Sequence, residues 1–264
     1  ILLRQRYGGH PSVYNVETGG RIYIISRARL IWKILSLSNY DGAFRSAISN
    51  SGRYIVSYET DFTRSSVKLW DAPTGGKIQS ASVKILGSEA KPAGTSDDDR
   101  RVIFLARTDA SKLAVSVNDI RTGAVLFECT GYYASATISP NGKYAVLLKW
   151  DDHHKKGGIE VWSIDTRQLV SSFGTPGGKY LASQGYVICS PDSTKILSSC
   201  INLSIFKDLT TPSHDLIVWD LKTGRKLHSQ NFVADVSALA FSSDSRWVVC
   251  GDRDGMAHLW ALPL

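Results

Sequence analysis

A chain of 264 residues, 43% hydrophobic and 21% charged, can bury one sizeable core, and it carries no apolar run long enough to cross a membrane as a helix. Much of the formal charge of +7 comes from one segment, where Arg4, Arg6, Arg21, Arg27, Arg29 and Lys33 face Glu17 alone, and later charges alternate in sign at turns, which excludes a basic stripe along the whole chain. Cys129, Cys189, Cys200 and Cys250 form no CxxC pair and sit in or beside apolar runs, so they read as free buried thiols of an intracellular, cytoplasmic protein and exclude a zinc or disulfide framework.

In chain order, the first unit (1–28) holds ILLRQRY (1–7), SVYNV (12–16) and RIYII (21–25), three short alternating runs with none ahead of them. RLIWKILSLS (29–38) has mixed spacing and reads as an extended connector. The second unit (41–80) has AFRSAI (43–48), RYIVSY (53–58), VKLWD (67–71) and KIQS (77–80). The third (81–128) opens on ASVKIL (81–86), passes SEAKPAGTSDDD (88–99), whose composition is that of a mobile loop, and resumes as VIFLA (102–106) and LAVSV (113–117).

The fourth unit (133–172) has ASATI (134–138), YAVLLKW (144–150), IEVW (159–162) and QLVS (168–171). The fifth (179–229) has GYVIC (185–189), KILSS (195–199), LIVW (216–219) and RKLH (225–228), and the sixth (235–264) VSALAF (236–241), RWVVC (246–250) and MAHLW (256–260). Alternation, β-branched enrichment and Gly/Asp/Ser turns all favour strands over helices.

Superposing the turns VETG, APTG, IRTG, IDTR and LKTG aligns Tyr14, Trp70, Asn118, Trp162, Trp219 and Trp260 in one column, spaced 56, 48, 44, 57 and 41 residues apart. Such an interval marks a repeat architecture. Four-stranded antiparallel units, with strands a to d from the inside outward, bury both faces only by stacking on their neighbours, and radial stacking leaves short outer edges. The expected fold is therefore all-β, a β-propeller of about six four-stranded blades with incomplete terminal blades. Tyr14, Trp70, Trp162, Trp219 and Trp260 are read as blade core that fills the widening gap between blades.

FSSDSRWVVCGDRDGMAHLW (241–260), ISPNGKYAVLL with IEVWSIDT, and CSPDSTKILSSC with LIVWDLKTG resemble WD40 repeats, strongly in the second, fourth, fifth and sixth units. In that family a Gly-His pair, an Asp in the b–c turn, a Ser or Thr on strand b and the Trp on strand c form a polar network. Asp254 and Trp260 match the Asp and Trp, whereas Asn231 and Phe232 stand where Gly-His would fall. The family's last blade is usually closed by an N-terminal strand. With none legible here, the chain reads as a fragment of a longer repeat protein whose terminal blades fray or pair with another chain.

Chemistry is sparse. The Gly-Gly pairs lack the Lys and the strand-to-helix setting of a phosphate loop. Asp151, Asp152, His153 and His154 are consecutive and flanked by Lys155 and Lys156, a poor cation cage, and Asp97, Asp98 and Asp99 read as solvent-facing. No catalytic set, metal site or cofactor is expected. Connections lengthen on one rim instead: ETDFTRSS (59–66), DDHHKKGG (151–158) and 201–213 between strands b and c, and 26–40 and 173–184 between d and a, with 88–99 as the exception. Tyr58, Phe62, Arg64, Trp150, Tyr180, Phe206 and Lys207 on or beside these loops combine apolar area with charge, as protein-binding anchors do. The expectation is a noncatalytic scaffold or sensing module that binds a protein partner. The resemblance adds a place in a larger signalling protein with further repeats. The alternatives are nucleic-acid or acidic-ligand binding, through Arg4, Arg6, Arg21, Arg27 and Arg29 joined by Arg64 and Lys155, and an enzyme with a channel site that no motif identifies.

Overall fold

The structure is a computed structural model that describes residues 2–4, 12–14, 21–24, 44–49, 52–60, 65–82, 88–108, 112–151, 156–174, 180–202, 213–232, 236–252 and 255–262. The described strands form six antiparallel sheets in chain order. The first has three: β1 (Leu2–Arg4), β2 (Ser12–Tyr14) and β3 (Arg21–Ile24). Four strands each make the next four: β4 (Phe44–Ile48), β5 (Tyr54–Thr60), β6 (Ser65–Asp71) and β7 (Lys77–Ser82); β8 (Ser88–Thr95), β9 (Arg101–Arg107), β10 (Leu113–Asp119) and β11 (Val125–Gly131); β12 (Tyr133–Ile138), β13 (Tyr144–Asp151), β14 (Lys156–Ser163) and β15 (Leu169–Gly174); β16 (Tyr180–Cys189), β17 (Lys195–Asn202), β18 (Ser213–Asp220) and β19 (Lys226–Phe232). The sixth has β20 (Val236–Phe241), β21 (Trp247–Asp252) and β22 (Ala257–Ala261). From the second sheet to the sixth, each meets the next through its first strand, so the first strands gather at the axis of an all-β propeller.

One packing rule repeats. The face of one sheet built from alternate residues of its second and third strands meets the column-bearing face of the next. Val56 and Leu69 of the second sheet pack on Val102, Phe104 and Ile120 of the third. Ile103, Val115, Val117 and Phe127 of the third then meet Ala145, Leu147, Ile164 and Trp162 of the fourth. Val146, Ile159 and Val161 meet Ile196, Ile217 and Trp219, and Leu197, Leu216 and Val218 meet Val248, Cys250 and Trp260. Burying each such Val, Leu or Ile stabilises by about 1.5–3 kcal/mol. Phe127 lies against Trp162 with ring centroids 5.7 Å apart and Phe173 against Trp219 at 5.2 Å, tilted pairs worth about 0.5–1.5 kcal/mol beyond area burial.

Most of the segment 88–99 is strand, and only 96–99 is a turn. Ser88–Thr95 is the innermost strand of the third sheet, with Ala90 and Thr95 buried. Its polar residues and Pro92 fit because β8 is an edge strand and its register shifts between Ser88 and Lys91 and between Pro92 and Gly94, where a missing N–H costs no ladder bond. Ala81 and Ser82, expected to open that strand, end β7 instead, and 83–87 lie outside the described residues. Asp99, expected in solvent, is 9% exposed and has a left-handed backbone, φ 53°.

The long connections are also shorter than expected. Pairing runs on to Thr60↔Ser65 and Asp151↔Lys156, so half of each of these two b–c loops is extended hairpin, since ladder hydrogen bonds are gained with every added pair; in the third, pairing reaches Asn202↔Ser213 and 203–212 lie outside the described residues. Phe173 and Gly174 belong to β15 and Tyr180 opens β16, which leaves 175–179 between them. The connector at 29–38 lies outside the described residues.

Candidate interaction surfaces

The two ends of the propeller are built differently. At one end lie the turns between first and second strands. Ser49, Ser96, Ser139, Ser190 and Ser242 each open such a turn, and their Oγ atoms accept from the backbone N–H of Tyr54, Arg101, Tyr144, Lys195 and Trp247 at 2.9–3.1 Å. In four of them the same hydroxyl donates to the side chain two residues on: Asp98, Asn141, Asp192 and Asp244. The turns then bond across sheets. Asp97 N donates to Pro140 O at 2.7 Å, Asn141 N to Ser193 Oγ at 3.1 Å and Asp192 N to Ser245 Oγ at 3.2 Å. Ser193 and Ser245 hold φ of 59°, a backbone usually left to glycine, at the positions where the hydroxyl accepts from the preceding sheet.

The turns between third and fourth strands share this end and repeat one design. Asp71, Asp119 and Asp220 accept through Oδ1 from both the N–H and the hydroxyl of Thr74, Thr122 and Thr223, at 2.6–3.0 Å. In the fourth sheet Ser163 stands in for the Asp, and its Oγ accepts from Thr166 N at 3.3 Å. Hydrogen bonds from Thr74 hold the Asp71 carboxyl below its ordinary value. For Asp119 and Asp220, burial pushes the pKa up, and the bonds from Thr122 and Thr223 outweigh it. Arg101 ties sheets together, donating to Gly142 O at 2.5 Å and Asp165 at 2.8 Å, and Arg167 reaches Leu126 O at 2.9 Å.

Within the blades, the column tryptophans solve one problem in different ways, because a buried indole N–H must find an acceptor. Trp70 donates to Ser57 Oγ at 2.8 Å and Trp219 to Ser198 Oγ at 2.9 Å. Leu147 occupies that serine position in the fourth sheet, and Trp162 donates instead to Glu160 Oε2 at 3.1 Å, which also accepts from Tyr133 Oη at 3.3 Å, while Lys149 reaches Oε1 at 3.0 Å. In the third sheet Asn118 Nδ2 donates to Gly123 O at 3.3 Å. In the sixth, His258 lies 3.0 Å from Asp252 and stacks on Trp260. Asp254, the family-motif match, lies outside the described residues. Trp219 is 3% exposed, whereas Trp70, Trp162 and Trp260 are half-buried and Tyr14 lies on β2 opposite Leu2 and Arg21.

The opposite end carries the b–c and d–a connections. Tyr58 lies on β5 opposite Val67, Trp150 on β13 opposite Gly157, and Tyr180 on β16 opposite Asn202. Trp150 and Tyr180 therefore stand on strands of adjacent sheets that touch, and Tyr58 is a full sheet away. Phe62, Arg64, Phe206 and Lys207 lie outside the described residues, as do His153 and His154. Of the basic N-terminal group, Arg4 is on β1 and Arg21 on β3, and the others also lie outside them.

No described histidine, cysteine or carboxylate joins a group of three or more able to hold a metal ion. Burial pushes the Cys189 thiol up to about 12 and those of Cys129 and Cys250 to about 11, far from thiolate chemistry at neutral pH. Burial also raises Tyr133, with Cys129 and Glu160 adding to it. Among the described residues, exposed large apolar side chains are Ile78, Leu169 and Val170 on outer strands, Tyr186 on β16, Trp247 and Leu259 in the sixth sheet, and Met256 just ahead of β22. The adjacent pair Leu169 and Val170 breaks the alternation of β15, a signal visible in the sequence. Leu259 offered none, because its register equivalents Leu69, Val117, Val161 and Val218 are all buried.

Comparison with solved structures finds the same fold. The chain is similar to a chain of Kuenenia stuttgartiensis hydrazine synthase (TM-score 0.60, 13% identity, 93% of this chain and 68% of that one). It is also similar to a chain of the mitotic checkpoint complex (0.57, 12%, 96% and 70%) and to the Dos1 propeller (0.54, 14%, 83% and 55%). Identities this low show the propeller fold alone. No family model matches the sequence, and no curated protein matches it.

Proposed function

We propose that this protein is a noncatalytic protein-interaction scaffold or sensing module, a divergent WD40-type propeller of six blades with incomplete terminal ones, acting inside the cell in a signalling assembly. The observation that carries the reading is the asymmetry of its ends. One end is stitched by turn-to-turn hydrogen bonds that leave little room for variation, and at the other the last pairs Thr60↔Ser65, Asp151↔Lys156 and Asn202↔Ser213 enclose connections of unequal length, 61–64, 152–155 and 203–212. A rigid scaffold with one elaborated rim suits recognition of a macromolecule. Tyr58, Phe62, Arg64, Trp150, Tyr180, Phe206 and Lys207 are its proposed anchors.

The test compares capture of partners by the full chain, by F62A/R64A/F206A, and by R121A/K222A, whose residues sit exposed on the opposite end. The rim variant should lose its partner at least tenfold and the control should keep it. Undiminished capture by a folded rim variant rejects the proposal.

A further inference from the structure

The described sixth sheet ends at its third strand, and the four-stranded sheets show what that omits. Ala261 closes β22 in the register position of Asp71, Asp119, Ser163 and Asp220, whose backbone N–H groups donate outward, to Gly76, Ala124, Gln168 and Arg225 O at 2.8–2.9 Å, where each fourth strand begins. Leu262 N donates the other way, to Arg246 O at 2.7 Å. Hydrogen-bond direction alternates along a strand, so Ala257, Leu259 and Ala261 turn their N–H and C=O groups to the edge of β22 that no described strand pairs. The same three residues are exposed, Leu259 at 63%. β22 carries no Lys, Arg, Asp, Glu or Pro and no register shift against β21, the usual guards of a free edge. The chain's own neighbouring segments fit the edge poorly. Thr74, Thr122, Thr166 and Thr223 close the turns into the fourth strands, whereas Leu264 holds that position after Ala261, so both members of the Asp–Thr pair are replaced. Leu2–Arg4 already pairs with β2. The fourth strands share one further feature: each carries one residue more than its partner opposite the column position. That residue is aliphatic every time, Ile78, Leu126, Val170 and Leu227, with Ile22 on β3 of the first sheet.

We propose that the free edge of β22 binds an extended segment of a partner polypeptide as an antiparallel fourth strand, with an aliphatic residue bulged opposite Trp260. Main-chain hydrogen bonds to Ala257, Leu259 and Ala261 supply the affinity, and the bulge position supplies the selection. The added strand continues a ladder that the second to fifth sheets already complete in this way. Beside it lies an outer face that includes Ala238, Ala240, Trp247 and Leu259 and no charged residue, so the partner's side chains on that face are uncharged. A second β22 is a poorer occupant, because two such strands paired about Leu259 form an unbroken ladder and neither offers the extra residue. The edge uses none of the rim anchors, so this site and the rim reading can fail separately.

The probe is the capped peptide RKLHSQNF, the sequence of 225–232, added at millimolar concentration to the ¹⁵N-labelled full chain while shifts and amide exchange are read along β22. In the free chain the amides of Ala257, Leu259 and Ala261 should exchange fast, and those of His258 and Trp260, bonded to β21, slowly. The peptide should shift the three edge amides saturably and slow their exchange about tenfold. Leu259→Pro removes one edge N–H without touching a bond to β21, and Leu259→Lys sets a charge beside the edge; each should weaken binding about tenfold, as should Leu227→Asp in the peptide. F62A/R64A/F206A should leave it unchanged. Three results overturn the site: edge amides that the peptide does not move, equal binding by a folded Leu259→Lys chain or by the Leu227→Asp peptide, and edge amides already protected in the free chain, whether by its own residues or by a second copy detected in sedimentation.

Discussion

Val218 and Leu259 occupy the same register position, one residue before the column tryptophan, yet Val218 is 3% exposed and Leu259 63%. The fifth sheet has the sixth against that face, and no described sheet lies against the sixth. The difference teaches that a repeat residue is core by virtue of its neighbour, not of its own strand.

The comparison is broken most sharply by truncation. Trp219→Ala should cost about 3–5 kcal/mol in chemical unfolding, because it removes the ring that packs on Phe173 and leaves a cavity between the fourth and fifth sheets. Leu259→Ala should stay within about 0.5 kcal/mol of the parent. Equal losses at the two sites would show that the sixth sheet's outer face is covered in solution.

Next in size is a pair of glycines with the same backbone. Gly224 and Gly52 have φ of 68° and 70°, but a Cβ on Gly224 would stand within 3.0 Å of the Phe173 ring, and one on Gly52 meets nothing within 4 Å. Gly224→Ala should therefore cost about 2–4 kcal/mol, backbone strain plus displacement of Phe173, against about 1–2 for Gly52→Ala. Thermal or urea unfolding of both variants separates the two contributions.

A smaller effect follows at Ser198. Ser198→Ala strands the Trp219 indole N–H in a buried site and should cost about 1–3 kcal/mol. Leu147, in the matching position of the fourth sheet, carries no such bond, so Leu147→Ser should not repay the loss elsewhere; a double variant measured by urea unfolding checks this.

The smallest effect is acid sensitivity of the turn-bearing end. Burial would raise the Asp192 carboxyl, and hydrogen bonds from Ser190, Thr194 and Lys195 outweigh it, bringing the value from 3.8 to about 2. The folded pKa lies below the unfolded one, so the stabilisation is complete above pH 4 or so and fades as pH falls toward 2. Because the carboxyl is 39% exposed, solvent screening limits it to about 1 kcal/mol. Comparing Asp192→Asn with the parent in pH-dependent unfolding should show the gap closing over that window.

Much of this was legible in the sequence. The turns from Asp71 to Gly75, Asp119 to Gly123 and Asp220 to Gly224 encode their own geometry, because the short Asp side chain reaches the N–H and hydroxyl of the Thr three residues on. The strand β8 was missed because Pro92 and Gly94 read as loop residues, and only an edge position beside bulges makes them acceptable. The loss of the outer-strand phenylalanine was also hidden: His228 and Gln230 look like ordinary outer-strand residues until Phe127 and Phe173 are seen in their register.

The sequence by itself determined the repeat, the local turns and the side of each strand on which a residue falls, since periods of two and tight turns are set within a few residues. Tertiary structure decided the rest. It chose Ser198 or Glu160 as the acceptor for a tryptophan, buried Val218 and exposed Leu259, and left His228 where a phenylalanine stands in the neighbouring interface, because each of those outcomes depends on a strand or a blade far away along the chain.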